Sequence, residues 1–250
     1  MKKMFKKAVS LIVAASMLLS ALPTFAETKA ETQAESNAAD WAIYVYMCGA
    51  DLESVSGAAT SDILEMLKAD IPDNVKLIVM TGGANAWDPK EKGAEYNDEV
   101  GYEAYITPKV ERNQIYEIDD DKMTLLKTYD KYMDMGNRQT TETFIEDAFK
   151  LAPANHTMIE FWDHGAGISG AEADEITYNM LNVLDIADIM ETAKINNKGN
   201  NIDIVGFDAC LMSTMEVGYV LSPYADYLLA SEEAETGYGW YYGFLSMFGE

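Results

Sequence analysis

Ile202-Asp203-Ile204-Val205-Gly206-Phe207-Asp208-Ala209-Cys210-Leu211-Met212-Ser213 is the stretch whose reading decides the fold. A short β-branched and apolar run ends in an acid, a cysteine follows, and the next residues have helical character. Met158-Ile159-Glu160-Phe161-Trp162-Asp163-His164-Gly165 repeats the plan: an apolar run, an acid, then a histidine and a glycine. Short apolar runs bounded by turn residues are the pattern of strands buried on both faces of a parallel sheet. If both runs are strands of one sheet, Cys210 and His164 each fall just beyond a carboxyl end. That is where open α/β sheets bind ligands.

Working outward, WAIYVYMC at 41–48 and VKLIVMT at 75–81 read as two further buried strands, broken by Gly49-Ala50-Asp51 and by Gly82-Gly83. Residues 226–230 read as a fifth strand. Helical spacing is found over 54–69, 123–135, 140–151, 185–194 and 211–221, with Thr140 and Thr141 as caps of the third. Residues 103–107 and 114–118 suggest a small hairpin inserted between the second and third strands. Strands alternating with helices imply an α/β fold, a mostly parallel sheet flanked by helices on both faces.

The chemistry follows from the strand ends. A thiol near neutral pH is a weak nucleophile because its thiolate is the minor form. An imidazole beside it can take the proton or hold the anion as an ion pair. Cys210 is therefore the candidate nucleophile and His164 its base. If Cys210 opens a helix, the helix dipole favours its anion as well. The backbone N–H groups of Gly165 and Cys210 are candidate oxyanion-hole donors. Gly165, lacking a side chain, leaves room for a substrate backbone. His156 lies at the opposite end of its strand and reads as structural. Cys48 ends the first strand. If the third strand lies between the first and fourth, the two cysteines stand about 9–10 Å apart. A disulfide needs Cα atoms within about 7 Å, so Cys48 reads as a buried thiol. Gly165–Gly170 also spells GxGxxG, but Glu172, Asp174 and Glu175 follow and would repel a pyrophosphate, so the dinucleotide reading is set aside.

Residues 1–26 have the layout of a secretory signal: Lys2, Lys3, Lys6 and Lys7, an apolar run, and a small residue at Ala26. The run is short for a bilayer span and lacks a basic flank on its far side. Residues 27–40 are polar and read as a disordered linker, and 41–250 as one domain. Loss of the signal removes four of the 18 basic residues and no acid, which leaves 14 basic against 42 acidic residues, net −28. Such a chain repels nucleic acid and anionic membranes. It attracts cationic substrates, or calcium through clustered carboxylates. No metal ligand is assigned from the sequence.

WDHGAG at 162–167, GFDACLMS at 206–213, ASEEAETGYGW at 230–240 and YMCGADLE at 46–53 together resemble the clostripain (C11) family of cysteine peptidases, in the caspase-like clan. The resemblance covers nearly all of the chain from Trp41 onward. It implies a six-stranded caspase-like sheet, a His164–Cys210 dyad and cleavage after Arg or Lys, with Asp208 as a residue of the pocket for the side chain preceding the cut (P1). Some relatives need calcium, and some mature by self-cleavage; Lys198-Gly199, in a turn, is the candidate position here. Two departures stand out. Tyr241 occupies a place where relatives commonly carry an acid, so the pocket is expected to hold a basic side chain less strongly. Glu250 follows soon after the fifth strand, so the sheet is expected to lack its last strand. The expectation is thus a secreted or cell-envelope cysteine endopeptidase acting on protein or peptide substrates, with no nucleic-acid partner and no membrane association after signal removal. The alternative is a catalytically inactive exported homologue that serves as an acidic binding module.

Overall fold

The computed structural model describes residues 38–87 and 104–249. The expected signal over 1–26, all but the last three residues of the 27–40 linker, and most of the loop over 84–99 lie outside them. At the linker's end, Ala39 and Asp40 already belong to the first strand.

The elements in chain order are β1 (Ala39–Cys48), α1 (Ala50–Ser56), α2 (Ala58–Lys68), β2 (Val75–Gly82), β3 (Gln114–Asp119), β4 (Lys122–Thr128), α3 (Arg138–Leu151), β5 (Ala154–Trp162), β6 (Ala171–Ala173), β7 (Met180–Leu181), α4 (Val183–Asn196), β8 (Ile202–Asp208), α5 (Met215–Leu221) and β9 (Ala225–Leu229), with short 3₁₀ turns at Gly167–Ser169 and Tyr242–Gly249. Seven strands form the central sheet in the order β4-β3-β2-β1-β5-β8-β9, and β6-β7 form a small ribbon of their own. The five strands read from the sequence are the parallel ones; β3 and β4 add an antiparallel hairpin at the β2 side.

Alternation along β1 explains why both faces are covered. Tyr44, Tyr46 and Cys48 join one core with Phe144 and Ile145 of α3 and Ile186 and Ile189 of α4. Ile43, Val45 and Met47 join the other with Ile63, Met66 and Leu67 of α2 and with Tyr242 and Leu245. The tyrosines of β1 keep their hydroxyls satisfied in this apolar setting. Tyr44 donates to the Ala152 carbonyl at 2.7 Å and Tyr46 to that of Met135 at 2.9 Å. At the centre of the sheet Phe161 of β5 stacks on its register partner Phe207 of β8, ring centroids 5.1 Å apart.

Several local expectations change. Residues 123–135 are not a helix. Asp121, with φ of 56°, closes a tight turn, and the next residues pair with β3, Met123 with Ile118 and Leu125 with Tyr116. The open ladder of β3 outweighs a helical spacing that was only local. The hairpin is therefore β3–β4, and residues 104–109 carry no strand. The helix expected over 54–69 is two helices, divided at Gly57, whose φ of 72° ends α1. The cap of α3 is Asn137, which accepts from the Gln139 N–H, and not Thr140 or Thr141. The helix expected from Leu211 begins at Met215, behind Thr214 as its cap. The segment 165–179 contains β6, and GxGxxG runs into this strand and not into a helix, so it lacks the phosphate-binding frame.

One acid interrupts the second core. Glu160, on β5, is 1% exposed and accepts a hydrogen bond from the equally buried Tyr242 hydroxyl. Burial, reinforced by the charge of Asp208, pushes its carboxyl up to about 8. The native state thus keeps a proton that an exposed glutamate loses near about 4.3. That stabilisation is complete at acid pH and is lost as pH climbs through about 8.

Two measurements test this packing. Phe161→Ala should cost about 3–5 kcal/mol in urea unfolding; a loss of under about 1 kcal/mol would contradict a stacked Phe161–Phe207 centre. Glu160→Gln keeps the shape and removes the titration. The urea midpoint of the unmodified protein should fall more steeply than the variant's between about pH 5 and pH 8; parallel curves would contradict a proton held at Glu160.

Candidate functional site

Parallel pairing of β5 with β8 sets the site. Trp162 is in register with Asp208, and the Asp163 N–H reaches the Asp208 carbonyl at 3.4 Å. The turns that carry His164 and Cys210 therefore leave adjacent strands at the same rim. His164, Asp208 and Cys210 line one cleft of about 190 Å³. Asp62, Trp162 and Glu235 also face it. Among the described residues no Lys or Arg does.

Gly165 abuts the turn that carries Cys210. A side chain there would put its Cβ 2.1 Å from the Cys210 carbonyl oxygen. The room that glycine provides is thus used by the Cys210 backbone itself, a different reason from the substrate approach expected from the sequence. Cys210 stands in a turn and does not open a helix; α5 starts five residues later. Stabilisation of its anion by a helix dipole is therefore withdrawn. The turn is held from residues 231–235 instead. Leu211, at φ of 66°, donates its N–H to the Glu233 carbonyl at 3.0 Å, and Ser213 donates to that of Ser231 at 2.9 Å. The Glu235 N–H points at the Cys210 sulfur at 3.3 Å.

His164 is half exposed, and its Nε2 lies 2.7 Å from Asp51 Oδ1, from the first turn of α1. This engages one ring nitrogen and leaves Nδ1 for proton exchange. Next to His164, Asp163 is 3% exposed, and its carboxyl accepts the Ala173 N–H. Cys48 is fully buried and free. Burial and the neighbouring carboxyls of Asp163, Glu172 and Asp174 push its thiol up, so it stays neutral. With β5 between β1 and β8, Cys48 ends one strand and Cys210 follows another that is not its neighbour. His156 is far from this rim, paired to Asp203 at 2.8 Å and stacked on Trp41.

Asp208 is only 5% exposed. Its carboxyl accepts the Trp240 N–H at 3.1 Å and contacts the Tyr242 hydroxyl at 3.1 Å. Burial pushes it up from the ordinary carboxylate range. Glu235, in contact with Asp208, is raised to about 7, first by burial and then by that neighbour. Gly239, at φ of 60°, passes so close to Asp208 that a Cβ would meet its carboxyl at 2.8 Å.

Sequence reasoning missed Asp51, Glu235, Asp62 and Tyr242. Asp51 and Glu235 both fall inside the quoted stretches YMCGADLE and ASEEAETGYGW, but nothing local assigns them a partner. Calcium has no evident cage here: among the described residues no three His, Cys, Asp or Glu side chains are grouped to hold a metal.

The chain matches the model of the clostripain family over residues 45–250. It is 27% identical to clostripain of Hathewaya histolytica over 218 residues, which is 79% of this chain and 40% of that protein. Among solved structures it is similar to a secreted C11 cysteine protease of Bacteroides thetaiotaomicron in complex with an irreversible peptide inhibitor. The TM-score is 0.61 at 21% identity, covering 84% of this chain and 53% of that one. It is also similar to an inactive zymogen C11 protease of Parabacteroides distasonis, with TM-score 0.57, 20% identity and coverage of 83% and 52%. The chain thus spans about half the length of these relatives or less. At such identities the solved structures speak for the fold, a caspase-like α/β sheet. With the family model matching through nearly the whole described sheet and both strand-end turns, the chain belongs to the clostripain family of peptidases.

Proposed function

We propose that this chain is a secreted cysteine endopeptidase that cleaves after Arg or Lys through His164 and Cys210. The observation that carries the reading is the shared cleft: an imidazole and a thiol from adjacent strand ends, over a wall of carboxyls with no Lys or Arg among the described lining residues.

In this mechanism Cys210 gives its proton to His164 Nδ1, and its sulfur attacks the scissile carbonyl carbon. The oxyanion that forms is met by backbone N–H groups, for which those of Gly165 and Cys210 are the candidates. His164 then hands the proton to the leaving amine, and the C–N bond breaks to leave a thioester on Cys210. Water, deprotonated by His164, releases the acid and restores the thiol. Asp51, held at Nε2, orients the ring and steadies its charged form. Glu235 N–H helps hold the sulfur as an anion. Asp208 sits where a basic P1 side chain would end.

Export is inferred from residues 1–26, and the Bacteroides relative is described as secreted. No helix of the described residues is long and apolar enough to cross a membrane. The second reading, an inactive acidic binding module, draws on Tyr241. It is 76% exposed in the place where an acid is expected to strengthen the pocket.

Turnover of fluorogenic peptides that differ only at P1 decides between the two. Arg and Lys should be cleaved and neutral citrulline rejected. Cys210→Ala should abolish turnover, and His164→Ala should lower kcat about 10²–10⁴-fold. Asp51→Asn should lower kcat by less, with KM little changed. Tyr241→Asp should raise kcat/KM for Arg peptides. No turnover of any peptide would favour the binding module, and citrulline cleaved as well as Arg would overturn the P1 assignment.

A further inference from the structure

The floor of the cleft is a chain of acids that cannot all be ionised. Glu160 touches the Tyr242 hydroxyl, Tyr242 touches Asp208 at 3.1 Å, and Asp208 contacts the Glu235 carboxyl. The Tyr242 hydroxyl hydrogen faces both Glu160 and Asp208, but no such donor serves the contact between Asp208 and Glu235, so a carboxyl must supply that hydrogen. No cation meets them among the cleft-lining residues, and Asp62 of α2 adds another buried acid from the side.

Trp240 fixes the two outermost members. Its backbone N–H donates to Asp208 at 3.1 Å, and its indole N–H donates to Glu235 at 3.3 Å. Asp208 and Glu235 are thereby held together, both facing the cleft. Glu160 and Tyr242 lie deeper and are closed off from solvent. Glu235 is the member of the chain best placed to exchange with water.

We propose that Asp208 and Glu235 act as one proton-sharing pair that releases its proton when a cationic P1 side chain enters, so that the pocket exchanges a proton for a cation. This deepens the basic-P1 reading and rests on it. A guanidinium keeps its charge at any working pH and presents parallel donors that suit two carboxylates. Once it is seated, both acids of the pair are stabilised as anions, and the hydrogen between them has no further use. The bond that breaks is the carboxyl O–H, and its proton leaves to solvent. Burial keeps Glu235 at about 7 and Asp208 raised, which agrees with a shared proton there near neutral pH. The groups that face the pair or share its cleft are Asp62 from α2, Trp162 and Glu160 from β5, His164 and Cys210 from the strand-end turns, and Trp240 and Tyr242 after β9. Of these only Glu160 and Asp62 are acids, and both are themselves pushed upward by burial.

The exchange also links recognition to the nucleophile. Glu235 carries the N–H that points at the Cys210 sulfur, so one residue touches both the P1 floor and the reacting atom.

Calorimetry with benzamidine as the cationic probe and benzamide as its neutral counterpart tests the proposal. Titrations at about pH 6.5 in two buffers of different ionisation enthalpy give the protons released. The expected result is about one proton released per benzamidine bound, with affinity rising up to about tenfold per pH unit below neutrality. Glu235→Gln leaves Asp208 ionised beside an amide donor; its benzamidine binding should show little buffer dependence and a flat pH profile. Binding by the unmodified protein without proton release would overturn the exchange and leave the basic pocket standing. An unchanged proton count in Glu235→Gln would overturn the assignment to this pair. Benzamide bound as tightly as benzamidine, or no binding of benzamidine, would overturn the basic pocket and the exchange together.

Discussion

Trp162 meets Asp208 on the last rung of the β5–β8 ladder, and everything at the rim depends on that pairing. Parallel strands in register end together, so the residues that follow them emerge side by side. His164 comes two residues after Trp162, and Cys210 two after Asp208. A slip of one residue would turn Phe161 and Phe207 out of their shared core and carry His164 and Cys210 with them. The stacked phenylalanines thus hold the register on which the site depends, and the helices on both faces hold the phenylalanines.

The rim itself is made of loops that only a finished sheet can align. Cys210 lies in a turn tied to residues 231–235, and His164 is met by Asp51 from a helix 113 residues earlier. Beneath them the acids are crowded beyond what burial allows for anions. Burial pushes the carboxyls of Glu160, Asp208 and Glu235 upward, and among the described residues no Lys or Arg lines the cleft to offset them. A pocket of this kind carries a standing cost to stability as pH rises, which a cationic occupant would offset. That trade is expected of functional sites more than of structural cores.

The parallel strands were legible in the sequence because each is a compact apolar run closed by glycine or an acid, as in WAIYVYMC and VKLIVMT. The two strand-end turns were legible for the same reason, and with them His164 and Cys210. What stayed hidden is non-local. Residues 123–135 have helical spacing, and only the free edge of β3 makes a strand of their first half. Leu211, Met212 and Val217 suggest a helix from Cys210 onward, but Leu211 adopts a positive φ while bound to Glu233, which delays the helix to Met215. Asp51 looks like part of a break after β1, and nothing near it in sequence indicates an imidazole. Nothing near Tyr242 in sequence indicates its partners, and its place between Glu160 and Asp208 exists only once α2 and the sheet have closed around it.

In the proposed mechanism His164 governs the reactivity of Cys210. The rate of iodoacetamide alkylation at neutral pH, with the modified cysteine identified by peptide mass, measures this. Fast labelling is expected at Cys210 while the buried Cys48 stays unmodified, and labelling at least about tenfold slower in His164→Ala, as expected when a thiolate loses its partner. Equal rates in the two proteins, or labelling at Cys48 first, would contradict it.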